Sequence, residues 1–334
     1  MKFLQHKNIK IFINYFLGPL LFVWLSWSIY NQVKHQPNLD NAWKQIKGSL
    51  KSPMVWNLVL VVLLMIVNWA IEAMKWKLSI QKVQRINFIK AFKAVLSGVS
   101  FSVSTPNRMG EYLGRILYMD EGNRLRTISL TIVGSISQLI ITLLMGAAGI
   151  IFLMPKIQSA EIVSALWVRV LLYGVIATLI VLTVFYFRLS WLVKWIDRLP
   201  RSDRYTYLVN ALEELNATLL LKLLSLSLIR FIVFIIQYYL LFRLFGTGIN
   251  WWQGFWAVSV SFLILAIIPT FAIAELGLRG KVSLKLLGLF SANDLGITIT
   301  TGTIWFINLV VPAIIGSLLI LGIKKFVTNK NERT

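Results

Sequence analysis

The sequence predicts an all-α polytopic membrane protein: about six full spans plus two re-entrant helical hairpins in inverted repeats. It forms a single integral membrane domain over residues 1–334, with repeat 1 at about 1–156 and repeat 2 at about 157–334. Three observations predict this. The chain is 57% hydrophobic and only 14% charged, with a mean hydropathy of +0.73. Several apolar runs reach the ~20 residues that a spanning helix needs. One motif occurs twice, each time interrupting a hydrophobic stretch, and paired interruptions at matching places in two halves are the sequence mark of transporter inverted repeats.

The spans are expected near Ile11–Tyr30, Val55–Met74, Ser129–Met154, Leu166–Phe187, Thr218–Leu244 and Leu295–Ile323. Trp27, Trp56, Trp167, Trp191, Trp251 and Trp252 fall near span ends, where aromatic belts form. No small-residue cleavage site follows the first apolar run, so Ile11–Tyr30 is expected to be a retained helix and not a signal peptide. Between the first two spans, Leu39, Trp43, Ile46 and Leu50 are spaced four, three and four, which marks one face of a helix, with Lys44, Lys47 and Lys51 off that face. Such a helix either lies on the outer membrane surface or packs on the bundle as a connector.

Orientation follows from charge. Lys and Arg number three in residues 1–10, ten in 75–126, five in 188–204 and four in 324–333, hence 22 on one side against eight on the other. The positive-inside rule makes the richer side, and both termini, cytoplasmic, in a cytoplasmic (plasma) membrane protein. The net charge of +21 reads as this sorting and as contact with anionic lipid, so no nucleic-acid partner is expected.

The first motif runs Thr105-Pro106-Asn107-Arg108-Met109-Gly110-Glu111-Tyr112-Leu113-Gly114-Arg115; the second runs Pro269-Thr270-Phe271-Ala272-Ile273-Ala274-Glu275-Leu276-Gly277-Leu278-Arg279. Each follows an apolar arm, Phe88–Ser104 or Trp252–Ile268, of about half-membrane length. Helix in, break, helix back out is the reading adopted. Making Trp252–Ile268 a full span would put Lys324, Lys325, Lys330 and Arg333 outside, against the charge rule. Irregular backbone cannot face lipid, so both breaks must be buried in protein or line a wet cavity.

The motif Pro106-Asn107-Arg108-Met109-Gly110-Glu111, with the later Pro269 to Arg279, resembles the flippase-like transmembrane domain of the lysylphosphatidylglycerol synthase family, here stand-alone. The resemblance covers nearly the whole chain in segment order. It implies a bundle with re-entrant helices that moves phospholipid between leaflets. The chain ends at Thr334, so the aminoacyl-transferring synthase domain is not expected. Many relatives place a Glu directly after the second Arg, whereas here Glu275 precedes Arg279.

Ionisable residues at membrane depth mark sites or pathways. Arg108, Glu111 and Arg115 carry the first candidate site. Arg115 lies one turn after Glu111, so an i,i+4 pair is natural. Two arginines for one acid leave surplus positive charge, which suits a phosphate because a guanidinium engages two oxygens together. Arg230, halfway along its span, is read either as functional or as a structural partner of Glu275 or Glu111. Glu275 and Arg279 complete the candidate ligand-binding set. New helices are expected to begin near Met109 and Ala274, with N-termini that favour an anion. Pro106 and Pro269 stop the incoming helices, Asn107 lies in the break, and Gly110, Gly114 and Gly277 permit close approach or small-residue packing.

Other polar residues read more plainly. Glu72, one turn before Lys75, reads as a surface pair at a cytoplasmic end. Lys222, Arg169 and Arg243 read as snorkelling cations. Asn68, Gln138, Gln237 and Asn308 read as interhelical hydrogen-bonding groups.

Cysteine is absent and the two histidines, His6 and His35, lie outside the spans. No catalytic constellation, metal site or cofactor is therefore expected, and no Walker motif is present. The leading expectation is translocation of an anionic (phospho)lipid through a central basic cavity. The alternatives are an intramembrane enzyme or glycosyltransferase acting on a lipid-linked substrate, and a non-catalytic membrane subunit. Expected partners are membrane phospholipids or lipid-linked phosphates, and a separate synthase or biosynthetic protein.

Overall fold

The structure is a computed structural model. It describes residues 39–103, 109–160, 164–188, 215–269 and 272–331 and a few isolated positions between them, with the backbone alone for residues 272, 273 and 322–331. The first expected span apart from Trp27 and Tyr30, the Pro106–Arg108 part of the first break and the chain termini lie outside the described residues.

Among the described residues the secondary structure is helical. The helices in chain order are α1 (Leu39–Lys51), α2 (Trp56–Ile80), α3 (Phe88–Val103), α4 (Gly110–Ile116), α5 (Arg124–Ser159), α6 (Ala165–Phe187), α7 (Ala217–Leu244), α8 (Trp251–Ile267), α9 (Ala272–Leu287), α10 (Asp294–Trp305) and α11 (Val311–Asn331). Among the described residues, five segments are long and apolar enough to cross a membrane: Pro53–Ile80, Glu121–Ser159, Ala165–Phe187, Ala217–Leu244 and Asp294–Leu321. They coincide with the last five expected spans. The exposed residues are apolar too: Leu166, Trp167, Val170, Ile180, Val181 and Val184 all face outward from α6. A water-soluble protein would not leave so wide an apolar surface uncovered.

The centre is built by exchange between the two halves of the chain. α2 packs along α7, α8 packs against α5, and α11 packs against α3. Thus the last long helix of each half seats the arm that precedes the break in the other half. Small residues set these distances. A Cβ on Gly149 would lie 3.0 Å from the Trp256 carbonyl oxygen of α8, and one on Gly316 would lie 2.0 Å from the Leu96 carbonyl oxygen of α3. Backbones in contact this close gain dispersion energy that larger residues would forbid.

α3 and α4 form an antiparallel hairpin. A Cβ on Gly114 would meet the Gly98 Cα at 2.4 Å, and one on Gly110 would meet the Phe101 carbonyl oxygen at 2.2 Å. Thr105 clasps the turn: its Oγ1 accepts the Gly110 N–H at 2.7 Å and reaches the Phe101 carbonyl at 3.2 Å. One motif residue thereby joins the end of α3 to the start of α4. α8 and α9 also pack on one another, and Ile268 and Pro269 leave the helix after α8.

α1 does pack on the bundle, against α10 and α7, and buries Ile46 there, while Trp43 and Leu50 stay exposed. Between α10 and α11 the backbone takes one π-helical turn, Phe306–Val310, just ahead of Pro312. Proline lacks the N–H that would reach back to Asn308 and would clash with that carbonyl, so a wider turn there relieves the conflict.

Candidate functional site

α2 and α7 cross antiparallel, and their facing stripes carry the buried polar groups of the protein's centre. Asn68, Glu72 and Lys75 are spaced four and three along α2; Ser227 and Arg230 are three apart on α7. Arg230 Nε donates to Asn68 Oδ1 at 2.7 Å, and its Nη1 pairs with Glu72 Oε2. Lys75 Nζ lies 2.9 Å from the same Glu72 oxygen and donates to Ser227 Oγ at 3.3 Å. Ser227 is bonded in turn to Ser137 of α5 at 2.9 Å. The Arg230 guanidinium also lies over the Trp69 ring, 5.5 Å from its centroid.

The first motif joins this seam through Arg115. Its Nη2 donates to Glu72 Oε1 at 2.9 Å and to Glu111 Oε2 at 3.1 Å. Glu72 therefore bonds three cations, one from its own helix, one from α7 and one from the hairpin. The cluster contains Lys75, Arg115 and Arg230 against Glu72 and Glu111, so one positive charge is in excess. A buried charge without compensation is costly, and the shared carboxylate is what makes three cations tolerable here. Around them, Asn68 Nδ2, Trp69 Nε1 and Arg115 Nε are buried donors with no acceptor among the described residues. A site short of acceptors and rich in positive charge is complementary to an anion.

The second motif forms its own pair. Arg279 Nη2 donates to Glu275 Oε1 at 2.6 Å, and both residues are nearly buried. The Arg279 guanidinium lies 5.9 Å from the centroid of Phe262, on α8. Phe262 packs edge-on against Phe231 at 5.8 Å and Tyr238 at 5.9 Å, both on α7. Phe231 directly follows Arg230 on α7, so part of the aromatic cluster beside Arg279 is carried by the same helix as Arg230.

Several expectations need correction. Glu72 and Lys75 are no surface pair: their exposures are 6% and 2%, and Glu72 is the hub of the site. Arg230 pairs with Glu72, not with Glu111 or Glu275. The missed signal was the spacing of Asn68, Glu72 and Lys75, one polar stripe on an otherwise apolar helix. α4 begins at Gly110 and α9 at Ala272, so Glu111 and Glu275 fall in the first turns of these helices. Each helix start is thus already met by a carboxylate of its own, the arrangement its dipole favours. Of the remaining expected residues, Gly114 and Gly110 make the close approach described above, Gly277 is buried in α9, and Pro269 sits at the second break. Arg108, Asn107 and Pro106 lie outside the described residues. Gln237 donates across helices to the Val61 carbonyl at 2.8 Å, whereas Asn308 donates within its own helix to Ile304 at 3.1 Å.

Two open pockets lie toward the C-terminal end of α2, away from the charged centre. One, about 430 Å³, lies between Met74 and Leu78 of α2 and Leu221, Lys222 and Leu226 of α7. The other, about 740 Å³, is lined by Lys77, Gln81, Lys82, Arg85 and Ile86. Among the described residues no three His, Cys, Asp or Glu side chains come together as metal ligands would.

These features define a polytopic helical membrane protein with a net-positive ionic cluster inside its bundle. The chain matches the family described as the lysylphosphatidylglycerol synthase TM region over residues 15–316, and it belongs to that family. A comparison with curated proteins returns no match.

Proposed function

We propose that this protein translocates an anionic (phospho)lipid between the leaflets of the cytoplasmic membrane, the head group passing along the α2–α7 seam while acyl chains stay in lipid. One observation carries this reading. Lys75, Arg115 and Arg230 outnumber Glu72 and Glu111, and the buried donors beside them lack acceptors. A phosphate supplies the missing negative charge and acceptor oxygens.

The architecture supports the same reading. The antiparallel return of α4 along α3 fits a re-entrant hairpin, and the reciprocal seating of α8 on α5 and α3 on α11 fits inverted repeats. In such folds the substrate site lies at the repeat interface. Both termini then face the cytoplasm, as the charge asymmetry requires. The ion pairs act as internal substitutes for the ligand: Glu111 releases Arg115 when a head-group phosphate arrives and pairs with it again when the lipid leaves.

The test is reconstitution of the purified protein with head-group-labelled lipids, scored for leaflet exchange and for covalent product. Arg115→Ala should slow movement of anionic lipid about tenfold or more, the loss expected when one charge-assisted hydrogen bond worth ~1.5–3 kcal/mol disappears, and should affect zwitterionic lipid far less. Equal exchange of both lipid types by this variant would remove the basis for the reading. A covalent lipid product would replace it with an intramembrane enzyme.

A further inference from the structure

The pocket between α2 and α7 is a lateral opening of the seam that holds the ionic cluster. Its walls, Met74 and Leu78 on one side and Leu221 and Leu226 on the other, are apolar. Met74 precedes Lys75 in sequence, and Leu226 precedes Ser227. The groove is therefore the outward face of the same crossing whose inward face bonds Glu72. One cation stands in it: Lys222, exposed, with no acidic side chain paired to it among the described residues. The basic pocket lies further along α2, past the groove. Met74 and Leu78 of the groove and Lys77 and Gln81 of the basic pocket are spaced three, one and three along one stripe of the helix, and Lys82 and Arg85 follow its end.

We infer that this groove is the loading port for an anionic phospholipid of the leaflet at that end of the bundle, holding one acyl chain between α2 and α7 with its phosphate on Lys222. The inference rests on the translocation reading and adds the place where the lipid enters. The volume is within the ~300–1,000 Å³ of ordinary ligand pockets. An unbranched chain suits an open apolar cleft at membrane depth. An ammonium on a flexible stem reaches the phosphate level from inside the apolar zone. Lys77, Lys82 and Arg85 raise the local concentration of anionic lipid beneath the groove. From Lys222 the phosphate moves inward past Ser227 to Lys75, Arg115 and Arg230.

The chain has no cysteine, so Leu221→Cys, at an exposed groove position, takes a single bimane label. The protein is placed in phosphatidylcholine nanodiscs containing a rising fraction of phosphatidylglycerol with brominated acyl chains, or of phosphatidylcholine brominated in the same way. Bromine quenches the label only on contact. The expected result is half-quenching at an about fivefold lower fraction of phosphatidylglycerol, the factor that one lysine near a membrane surface contributes. Lys222→Ala should abolish the preference and Lys222→Arg should keep it. A label at Ile180→Cys, outward on α6, should show no preference. If Leu221→Cys does not yield folded protein, Ser225→Cys in the same groove carries the label instead. Equal quenching by both lipids at the groove, or a preference that survives Lys222→Ala, would overturn the inference. Measuring translocation on the same preparations separates the two claims. A groove preference without translocation defeats the transport reading and leaves the binding site. Translocation without the preference defeats the port alone.

Discussion

Glu72 and Arg230 stand 158 residues apart in the chain, yet the carboxylate of one and the guanidinium of the other are paired at the crossing of α2 and α7. Because Glu72 also bonds Lys75 and Arg115, this one carboxylate ties both halves of the protein and the first hairpin together.

Removing that carboxylate leaves three cations in a buried site. Glu72→Gln should lower stability by about 3–5 kcal/mol, the range for deleting one partner of a buried ion pair. Thermal unfolding in detergent would read this as a large fall in Tm. Arg230→Gln alone should also destabilise, and the double variant should lose less than the sum of the two single losses, with a coupling of about 0.5–3 kcal/mol. Additive losses would show that the two side chains do not share an interaction.

Glu111 occupies a different position in the same network. Its side chain retains 20% exposure, and it shares the Nη2 of Arg115 with Glu72, at 3.1 Å against 2.9 Å. Glu111→Gln should cost no more than about 1 kcal/mol, as for partly exposed pairs. It frees one donor of Arg115, so anionic lipid should bind more tightly and turn over more slowly. Binding isotherms with short-chain phosphatidylglycerol, set against exchange rates in vesicles, test both halves of the expectation.

The hairpin depends on glycine for a steric reason. Gly114→Ala places a methyl group 2.4 Å from the Gly98 Cα, and Gly110→Ala places one 2.2 Å from the Phe101 carbonyl oxygen. Both obstacles are backbone, so α4 must move off α3, at about 1–3 kcal/mol for an overpacked site. Gly174→Ala on α6 meets nothing within 4 Å and should leave the melting temperature unchanged or raise it slightly. A Gly114→Ala protein as stable as wild type would show that the two helices are not in contact there.

Topology is open to a direct measurement. Reporters fused after Thr334 and active on only one side of the membrane should report a cytoplasmic C-terminus, as should a reporter placed in the loop after Ile80. A C-terminus on the opposite side would make the segment Trp251–Ile267 a full span and end the inverted-repeat interpretation.

Much of this protein is legible in its residues alone, because lipid imposes simple rules. A helix must cover its own backbone polar groups and be about 20 apolar residues long, so the spans from Val55 onward can be read from hydropathy, and the two Pro–Glu–Gly–Arg interruptions stand out against it. The Glu111–Arg115 and Glu275–Arg279 pairs were equally readable, since a separation of four residues on a helix fixes their proximity. The partner of Arg230 was not. Asn68, Glu72 and Lys75 carry a polar stripe, but a stripe near a helix end looks the same whether it faces water or another helix. Only the antiparallel crossing of α2 and α7 decides that Glu72 is inside, bonded to cations from three helices. Pairing at this range depends on which faces meet across a separation of 158 residues, and local spacing holds no record of that.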